Sequence, residues 1–287
     1  MNQKKLHTLY GLKWNPFLPD LPQEALVLQP KINHFAWKIE NLIMDGGFAL
    51  LTGDPGLGKS VALRLLSERF NQIGDLMGTE FTRPQSGLAD FYRELGQLFG
   101  VDLKMNNKYG GFQKLRDKWK EHMNKNLFRP VLLIDEAQEM HPSVLSELRL
   151  LSSTTFDSKI ILTVVLCGDK RLVEKLQDPD LLPIDSRIRT RLILENYSSG
   201  DLLDLLKESL ERAGNPSLMT NGLMDTMAEH SCGNPRAMMI ACGDLLMEAA
   251  RLDMKQMNED LFIKFYSSEQ PKKKKKYRNK NKNFYKY

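Results

Sequence analysis

The chain has 287 residues, 41% hydrophobic and 27% charged, which is typical of a soluble globular protein with one large domain or two modest ones. Its longest apolar run, residues 160–167, is far too short to span a bilayer, and no apolar secretory signal follows the N-terminus, so membrane insertion is not expected. The formal net charge is +5, and three cysteines without a CxxC pair disfavour a disulfide framework or zinc site and predict a reducing, cytoplasmic location.

Apolar strands alternate with amphipathic helices through most of the chain, and only helices follow residue 197. Strands are predicted over residues 47–52, 76–81, 131–134, 160–166 and 192–194. Helices are predicted over residues 31–44, after residue 60, over 88–98 and 112–123, through 145–151, and over 201–213, 218–230 and 235–252. This order predicts an α/β fold, with a parallel central sheet flanked by helices and an all-helical lid subdomain at the C-terminal end.

Four segments are predicted from this pattern. They are an N-terminal lead-in over residues 1–30, a P-loop ATPase core over 31–197, a helical lid over 198–266 and a disordered basic tail over 267–287. The lead-in contains four prolines between residues 6 and 30 and is expected to be ordered but irregular.

A phosphate-binding pattern, G-x-x-x-x-G-K-[ST], is matched at every fixed position by Gly53-Asp54-Pro55-Gly56-Leu57-Gly58-Lys59-Ser60. It lies between a predicted strand and a helix that opens with Val61, so the backbone N–H groups of residues 53–61 are expected to bind phosphate oxygens. Lys59 would reach the β- and γ-phosphates, and the Ser60 hydroxyl would ligate Mg²⁺. The alternative is a glycine-rich turn that contains Lys and Ser by chance. The pattern therefore predicts a site for ATP and Mg²⁺.

Two carboxylates follow the apolar strand at residues 131–134. Asp135 and Glu136 would lie at the carboxyl edge of a parallel sheet, where ligands bind in open α/β folds. Asp135 is expected to hold Mg²⁺, and Glu136 to polarise the attacking water as a general base. A helix N-terminus that merely favours negative charge is the alternative. Their position after a phosphate loop favours the metal and the base.

The C-terminal residues 272–287 hold eight lysines, one arginine and no acid, and subtracting this +9 from +5 leaves −4 for residues 1–271. Such a segment cannot bury a core and is expected to be disordered when free. Four aromatic residues between the cations would offer stacking surfaces to nucleic acid. A solubilising tail, or a contact with an acidic protein or membrane surface, are the alternatives.

Several short motifs resemble those of the AAA+ ATPases; those after the phosphate loop are loose individually, but the order and spacing of the set are specific. They are Gly53–Ser60, Asp135-Glu136-Ala137-Gln138, Cys167-Gly168-Asp169, Ser186-Arg187-Ile188 and Gly233-Asn234-Pro235-Arg236. The chain is most similar to the branch with the ExeA-type ATPases and the transposition ATPases of the TniB and MuB kind. The lead-in, with Tyr10-Gly11-Leu12 and Asn15-Pro16-Phe17, also resembles the ExeA-type start. The resemblance covers roughly residues 8 to 252.

The resemblance implies catalytic roles for two further positions. Asp169 stands at the sensor 1 position, where this branch often has glutamine, so orientation of water through an amide is in doubt there. Arg187 is similar to the arginine finger that enters a neighbouring subunit's site. Arg189 and Arg191 could equally be the finger, and solvated strand charges are the alternative for all three.

Arg236 resembles sensor 2, which reports the state of the γ-phosphate to the helical lid. The alternative is an ordinary helix start, because Pro235 suits a first-turn position and Asn234 a cap.

An arginine finger acting in trans implies head-to-tail self-association into a ring or filament. The preferred hypothesis is an ATP-hydrolysing protein that binds duplex DNA and assists a transposase or integrase in target selection. The second is an ExeA-type secretion ATPase, which is less favoured because the sequence ends without a membrane-spanning or cell-wall-binding region. The third is a nucleotide-dependent adaptor that hydrolyses little ATP.

Overall fold

A computed structural model of the chain describes residues 3–27, 29–103, 108–125, 128–155 and 158–268. Residues 269–287 of the predicted basic tail lie outside the described residues. Residues 267 and 268 are the end of a helix, so the predicted disordered tail began two residues too early. No helix in the described part of the chain is long and apolar enough to cross a membrane.

The described chain contains helices throughout and a central group of strands. The helices are α1 Gln3–Tyr10, α2 Pro30–Asp45, α3 Lys59–Asn71, α4 Leu88–Leu98, α5 Lys108–Lys125, α6 Pro142–Ser152, α7 Lys170–Leu176, α8 Leu182–Asp185, α9 Ser199–Ala213, α10 Asn221–His230, α11 Pro235–Arg251 and α12 Glu259–Ser268. The strands are β1 Gly47–Gly53, β2 Gly78–Phe81, β3 Val131–Ile134, β4 Ser153–Thr154, β5 Lys159–Ile160, β6 Thr163–Gly168 and β7 Ile188–Leu194.

Five of the strands form one sheet in the order β2-β3-β6-β1-β7, and every pairing in it is parallel. The central strand β1 ends at the phosphate loop and lies between β6 and β7. The strand β3, which precedes the two carboxylates, pairs with β6. Because parallel strands end at the same edge, the loop and the carboxylates come together there.

Alternate residues of each inner strand enter two separate hydrophobic clusters. Phe48 and Leu50 of β1 pack with α4 to α8, whereas Ala49 and Leu51 pack with α2 and α3. Both faces of the sheet are therefore covered, and the inner strands can be continuously apolar. The predicted fold class is confirmed.

Three differences from the predicted elements change their type or pairing or move a boundary by four residues, and the other boundary differences are smaller or similar in size. Residue 160 does not begin β6: Lys159–Ile160 pairs with Ser153–Thr154 in an antiparallel hairpin, and β6 starts at Thr163. The last strand, β7, begins at Ile188 rather than at residue 192. The N-terminal segment forms a helix, α1, with Leu6 and Tyr10 buried, where an irregular lead-in was expected.

The chain divides into two compact units. One contains Leu26–Tyr197 together with Asn234–Arg236. The other contains the described residues up to Ala25, Ser198–Gly233 and the described residues from Ala237 onward. In this second unit Asn215 donates a hydrogen bond to the Tyr10 carbonyl at 2.8 Å, so the N-terminal segment belongs with the C-terminal helices.

Candidate nucleotide-binding site

The phosphate loop joins the end of β1 to the start of α3. Gly56 has a φ of +92° and Gly58 a φ of +98°, a backbone conformation that glycine adopts without steric cost. Gly58 is the N-cap of α3 and has no side chain to bond the first-turn N–H groups. These N–H groups and the helix dipole point toward the loop, which makes the helix start suited to an anion such as a phosphate.

Lys59 is largely buried and lies back over the loop that precedes it. Its Nζ donates to the carbonyl oxygens of Gly53 at 2.8 Å and Asp54 at 3.1 Å. The ammonium group is thereby held against the loop backbone, beside the glycines that leave room for phosphates.

Ser60 and Asp135 are 75 residues apart in sequence and meet at the sheet edge. The Ser60 hydroxyl donates to Asp135 Oδ2 at 3.2 Å, and the Glu136 N–H donates to Asp135 Oδ1 at 2.9 Å. Both side chains offer hard oxygen ligands of the kind Mg²⁺ prefers. The described residues contain no group of three or more His, Cys, Asp or Glu that could hold a metal. Two protein ligands fit Mg²⁺, which completes its shell with water and substrate phosphates.

Cys167 lies beneath Asp135, at the end of β6. Burial, followed by the nearby charge and hydrogen bond of Asp135, raises the pKa of the Cys167 thiol. The residue is fully buried and stays protonated, so it donates to the Asp135 carboxylate and is not a nucleophile.

Glu136 projects from a turn that the sequence pattern did not predict. It has a φ of +50°, unusual for a residue other than glycine, and precedes the short 3-10 turn Ala137–Glu139. Its carboxylate accepts a short hydrogen bond from the amide of Gln138, a buried residue. The motif Asp135-Glu136-Ala137-Gln138 contained this glutamine, but nothing in its spacing indicated a contact with Glu136.

Asp169 caps α7 and binds an arginine. Its carboxylate accepts from the Arg171 N–H at 2.9 Å and pairs with the Arg171 guanidinium at 2.8 Å. The hydrogen bond from Arg171 lowers the pKa of Asp169, so the carboxylate stays ionised. In this structure the Asp169 side chain is committed to Arg171, and its predicted role toward water stays a prediction.

The segment Asn234–Arg236 contacts the phosphate loop directly. Asn234 Nδ2 donates to the Pro55 carbonyl at 3.0 Å, and the Arg236 N–H donates to the Gly56 carbonyl at 3.3 Å. This position beside the loop is compatible with the predicted sensor 2 role of Arg236, whose side chain is exposed. The sequence predicts only a helix cap at Asn234 and does not reveal its contact with the loop.

Gly56→Ala is expected to destabilise the protein by about 1–3 kcal/mol. A β-carbon at Gly56 would lie 2.5 Å from Asn234 Oδ1 and 3.0 Å from Arg236 Cβ, and the residue has a positive φ. Gly100→Ala is the matched control, because Gly100 has a φ of +64° but nothing within 4 Å of the added carbon. Urea unfolding should show a larger loss for Gly56→Ala. An equal loss would mean that the contact with Asn234 adds nothing beyond backbone strain.

Arg187 lies at the N-terminal end of the sheet strands, whereas the loop lies at their C-terminal end. It directly precedes β7, in which Ile188 pairs with Phe48 and Leu194 pairs with Gly53. At about 3.3 Å per residue this separates Arg187 from the loop edge by roughly 20 Å.

The structure gives the two other candidate arginines local ion pairs. Arg189 lies 4.0 Å from Asp45, and Arg191 lies 2.8 Å from Asp185. The fold therefore does not place Arg187, Arg189 or Arg191 beside the phosphate loop of the same chain.

Comparison with known proteins agrees with this geometry. Residues 43–176 match the family model described as "AAA domain", which spans β1, the loop and both carboxylates. The sheet order, the loop after β1 and the acids after β3 decide the architecture. The fold is that of an AAA+ P-loop protein.

The chain is similar to general secretion pathway protein A of Aeromonas hydrophila, with 31% identity over 266 residues. The match covers 90% of this chain but 47% of the relative, so the chain spans about half the relative's length. This likeness supports an AAA+ ATPase and the ExeA-type side of the predicted resemblance. The TniB and MuB side stays a prediction.

Solved structures show the same AAA+ fold at low sequence identity. The ORC2 protein of Aeropyrum pernix superposes with a TM-score of 0.67 at 15% identity, covering 88% of this chain and 71% of that one. The ORC1 protein of the same organism, solved in complex with DNA, superposes with a TM-score of 0.62 at 16% identity, covering 88% and 68%.

Proposed function

We propose that this chain binds ATP and hydrolyses it with Mg²⁺, and that the cycle switches its association with partners. The observation that carries the proposal is the contact at 3.2 Å between Ser60 of the loop and Asp135 of the β3 end. It brings two segments with separate chemical tasks into one site, beside Lys59 and Glu136.

The proposed reaction needs no covalent intermediate. Lys59 and the loop N–H groups bind the β- and γ-phosphate oxygens, and Glu136 aligns a water for in-line attack. Mg²⁺ bound by Ser60 and Asp135 would supply further neutralisation of the phosphate charge. Positioning and electrostatic stabilisation therefore account for catalysis.

Self-association is part of the proposal, because Arg187 is roughly 20 Å from the loop edge of its own sheet by strand rise. It can meet a γ-phosphate only in a neighbouring copy, and such a head-to-tail contact closes into a ring or extends as a filament.

Arg187→Ala is expected to lower ATP turnover by about 10³-fold or more, as loss of an arginine finger does. Mixing it with Lys59→Met, which keeps Arg187, should restore activity, because about a quarter of interfaces in a random assembly would combine an intact loop with an intact finger. Turnover is measured as phosphate release against mixing ratio. Arg189→Ala and Arg191→Ala are the controls. If one of these variants, instead of Arg187→Ala, is rescued by Lys59→Met, that residue is the finger. No rescue in any mixture would contradict catalysis in trans.

Two partners for the switch are supported by different observations. The similarity to general secretion pathway protein A, 31% identity over a match that covers 90% of this chain, favours an ATPase module of a secretion pathway. The end of the chain is no argument against this function, because the chain spans 47% of the relative.

DNA binding in support of a transposase is the second candidate. The cationic, aromatic segment at residues 272–287 favours it, and one protein of the same fold was solved in complex with DNA. Its phosphate contacts would weaken steeply with salt.

Duplex DNA separates the two candidates. Phosphate release and DNA binding are measured with ATP and with ADP, using the full chain and a version ending at Gln270. DNA-stimulated hydrolysis would support the DNA-binding function. If neither nucleotide changes DNA binding, that function is excluded and the secretion-type module is favoured. Equal binding by both versions at matched salt would exclude a role for the tail.

A further inference from the structure

The buried amide of Gln138 joins the ends of two neighbouring strands. Gln138 lies in the turn after β3 and is 4% exposed. Its Nε2 donates the short hydrogen bond to Glu136 Oε2, and its Oε1 accepts from the N–H of Asp169, after β6, at 3.2 Å. The Asp169 N–H thus fixes the oxygen of the amide, and the nitrogen of the amide binds the Glu136 carboxylate.

The neighbouring strand leaves space for this amide. A β-carbon at Gly168, the residue before Asp169, would collide with Gln138 Oε1. The φ of Gly168 does not lie in the left-handed region, so its backbone does not require glycine. What requires glycine there is the close approach of the Gln138 side chain.

Charged residues of α7 fix the turn that carries Gln138. Lys175 Nζ donates to the Met140 carbonyl at 2.8 Å and, in a shorter bond, to the Gln138 carbonyl. Arg171 pairs with Glu139 at 3.0 Å and with Asp169 at 2.8 Å. Such contacts can hold Glu136 in its uncommon left-handed conformation, which persists only where the surroundings impose it.

We infer that Gln138 is the positioning residue for Glu136. The inference rests on the proposed function, in which Glu136 aligns the attacking water. The amide binds Oε2 and leaves Oε1 as the oxygen available to the attacking water. Asp169 contributes its backbone N–H to this arrangement, and its carboxylate caps α7.

Gln138→Met tests this inference, because methionine keeps the buried volume and removes both hydrogen bonds. The rate of phosphate release at saturating ATP should fall about 10- to 100-fold, as with other residues that orient a catalytic group. The affinity for fluorescent ATP and the melting temperature should stay near those of the unmodified chain. Gln138→Ala should behave alike, and it replaces the methionine variant if that one does not fold. Gln177→Ala, which truncates an exposed glutamine after α7, is the matched control and should keep the full rate.

A second measurement separates positioning from general loosening of the site. In a Glu136→Gln background, Gln138→Met should cause no further loss of rate, because the two residues act as a unit. An additive loss, an unchanged rate in the single variant, or a faster rate would each overturn the inference. Failure of the unmodified chain to hydrolyse ATP would overturn the proposed function as well, and so differs from failure of the inference alone.

Discussion

Lys59→Met is expected to weaken ATP binding about 10- to 100-fold and to remove measurable turnover, because a hydrogen bond to a charged group is worth ~1.5–3 kcal/mol. The buried ammonium of Lys59 is held by the carbonyls of Gly53 and Asp54, so its position is set before any nucleotide arrives. Titration with fluorescent ATP measures the affinity, and phosphate release measures the turnover.

Lys38→Met is the matched control, since Lys38 is an exposed lysine of α2 in the same unit. It should leave both quantities within about twofold, because an isolated surface charge contributes little. Equal effects of the two substitutions would show that charge in general, and not the Lys59 ammonium at the loop, governs binding.

Glu136→Gln is expected to lower the maximal rate of hydrolysis by about 10²- to 10⁴-fold while ATP affinity changes little. The substitution keeps the size of the side chain and removes the carboxylate that aligns water, whereas the phosphate contacts of the loop are unaffected. Single-turnover phosphate release measures the rate, and a parallel titration measures ATP affinity. Together they test whether the rate falls while the affinity is kept.

Glu139→Gln is the control for this change. Glu139 belongs to the same turn, but its carboxylate pairs with Arg171 at 3.0 Å. Its rate should stay within a few-fold of the unmodified chain, because the partly exposed ion pair of Glu139 with Arg171 contributes little by itself. Lys175 still binds the carbonyls of Gln138 and Met140 and holds the turn. A loss of ATP affinity as large as the loss of rate in Glu136→Gln would contradict its assignment as the base.

The phosphate loop and the two carboxylates could be predicted because each residue type there has its own physical requirement. The glycines at 56 and 58 have positive φ angles, and the apolar strand before Asp135 is buried on both faces. The strand boundaries were harder. Residues 160–167 form one apolar run, which does not reveal that Lys159–Ile160 leaves the sheet to pair with Ser153–Thr154.

The edge strand β7 and the amide of Gln138 could not be found from local pattern. In β7 only Leu194 is buried and the alternate residues Arg189, Arg191 and Ile193 are exposed, so an edge strand gives a weak apolar signal. A buried glutamine in a turn looks like an exposed one in sequence. Its role depends on Gly168 and Asp169, which the parallel sheet brings to it from 30 residues away.

Phosphate release by the unmodified chain, measured at saturating ATP and high protein concentration with Mg²⁺ and again with a chelator, tests the proposed ATPase most directly. The proposal predicts release well above that of buffer, dependent on Mg²⁺ and about 10²- to 10⁴-fold slower in Glu136→Gln. Saturable ATP binding without release, or release that Glu136→Gln leaves unchanged, would contradict a hydrolytic site and favour a nucleotide-dependent adaptor.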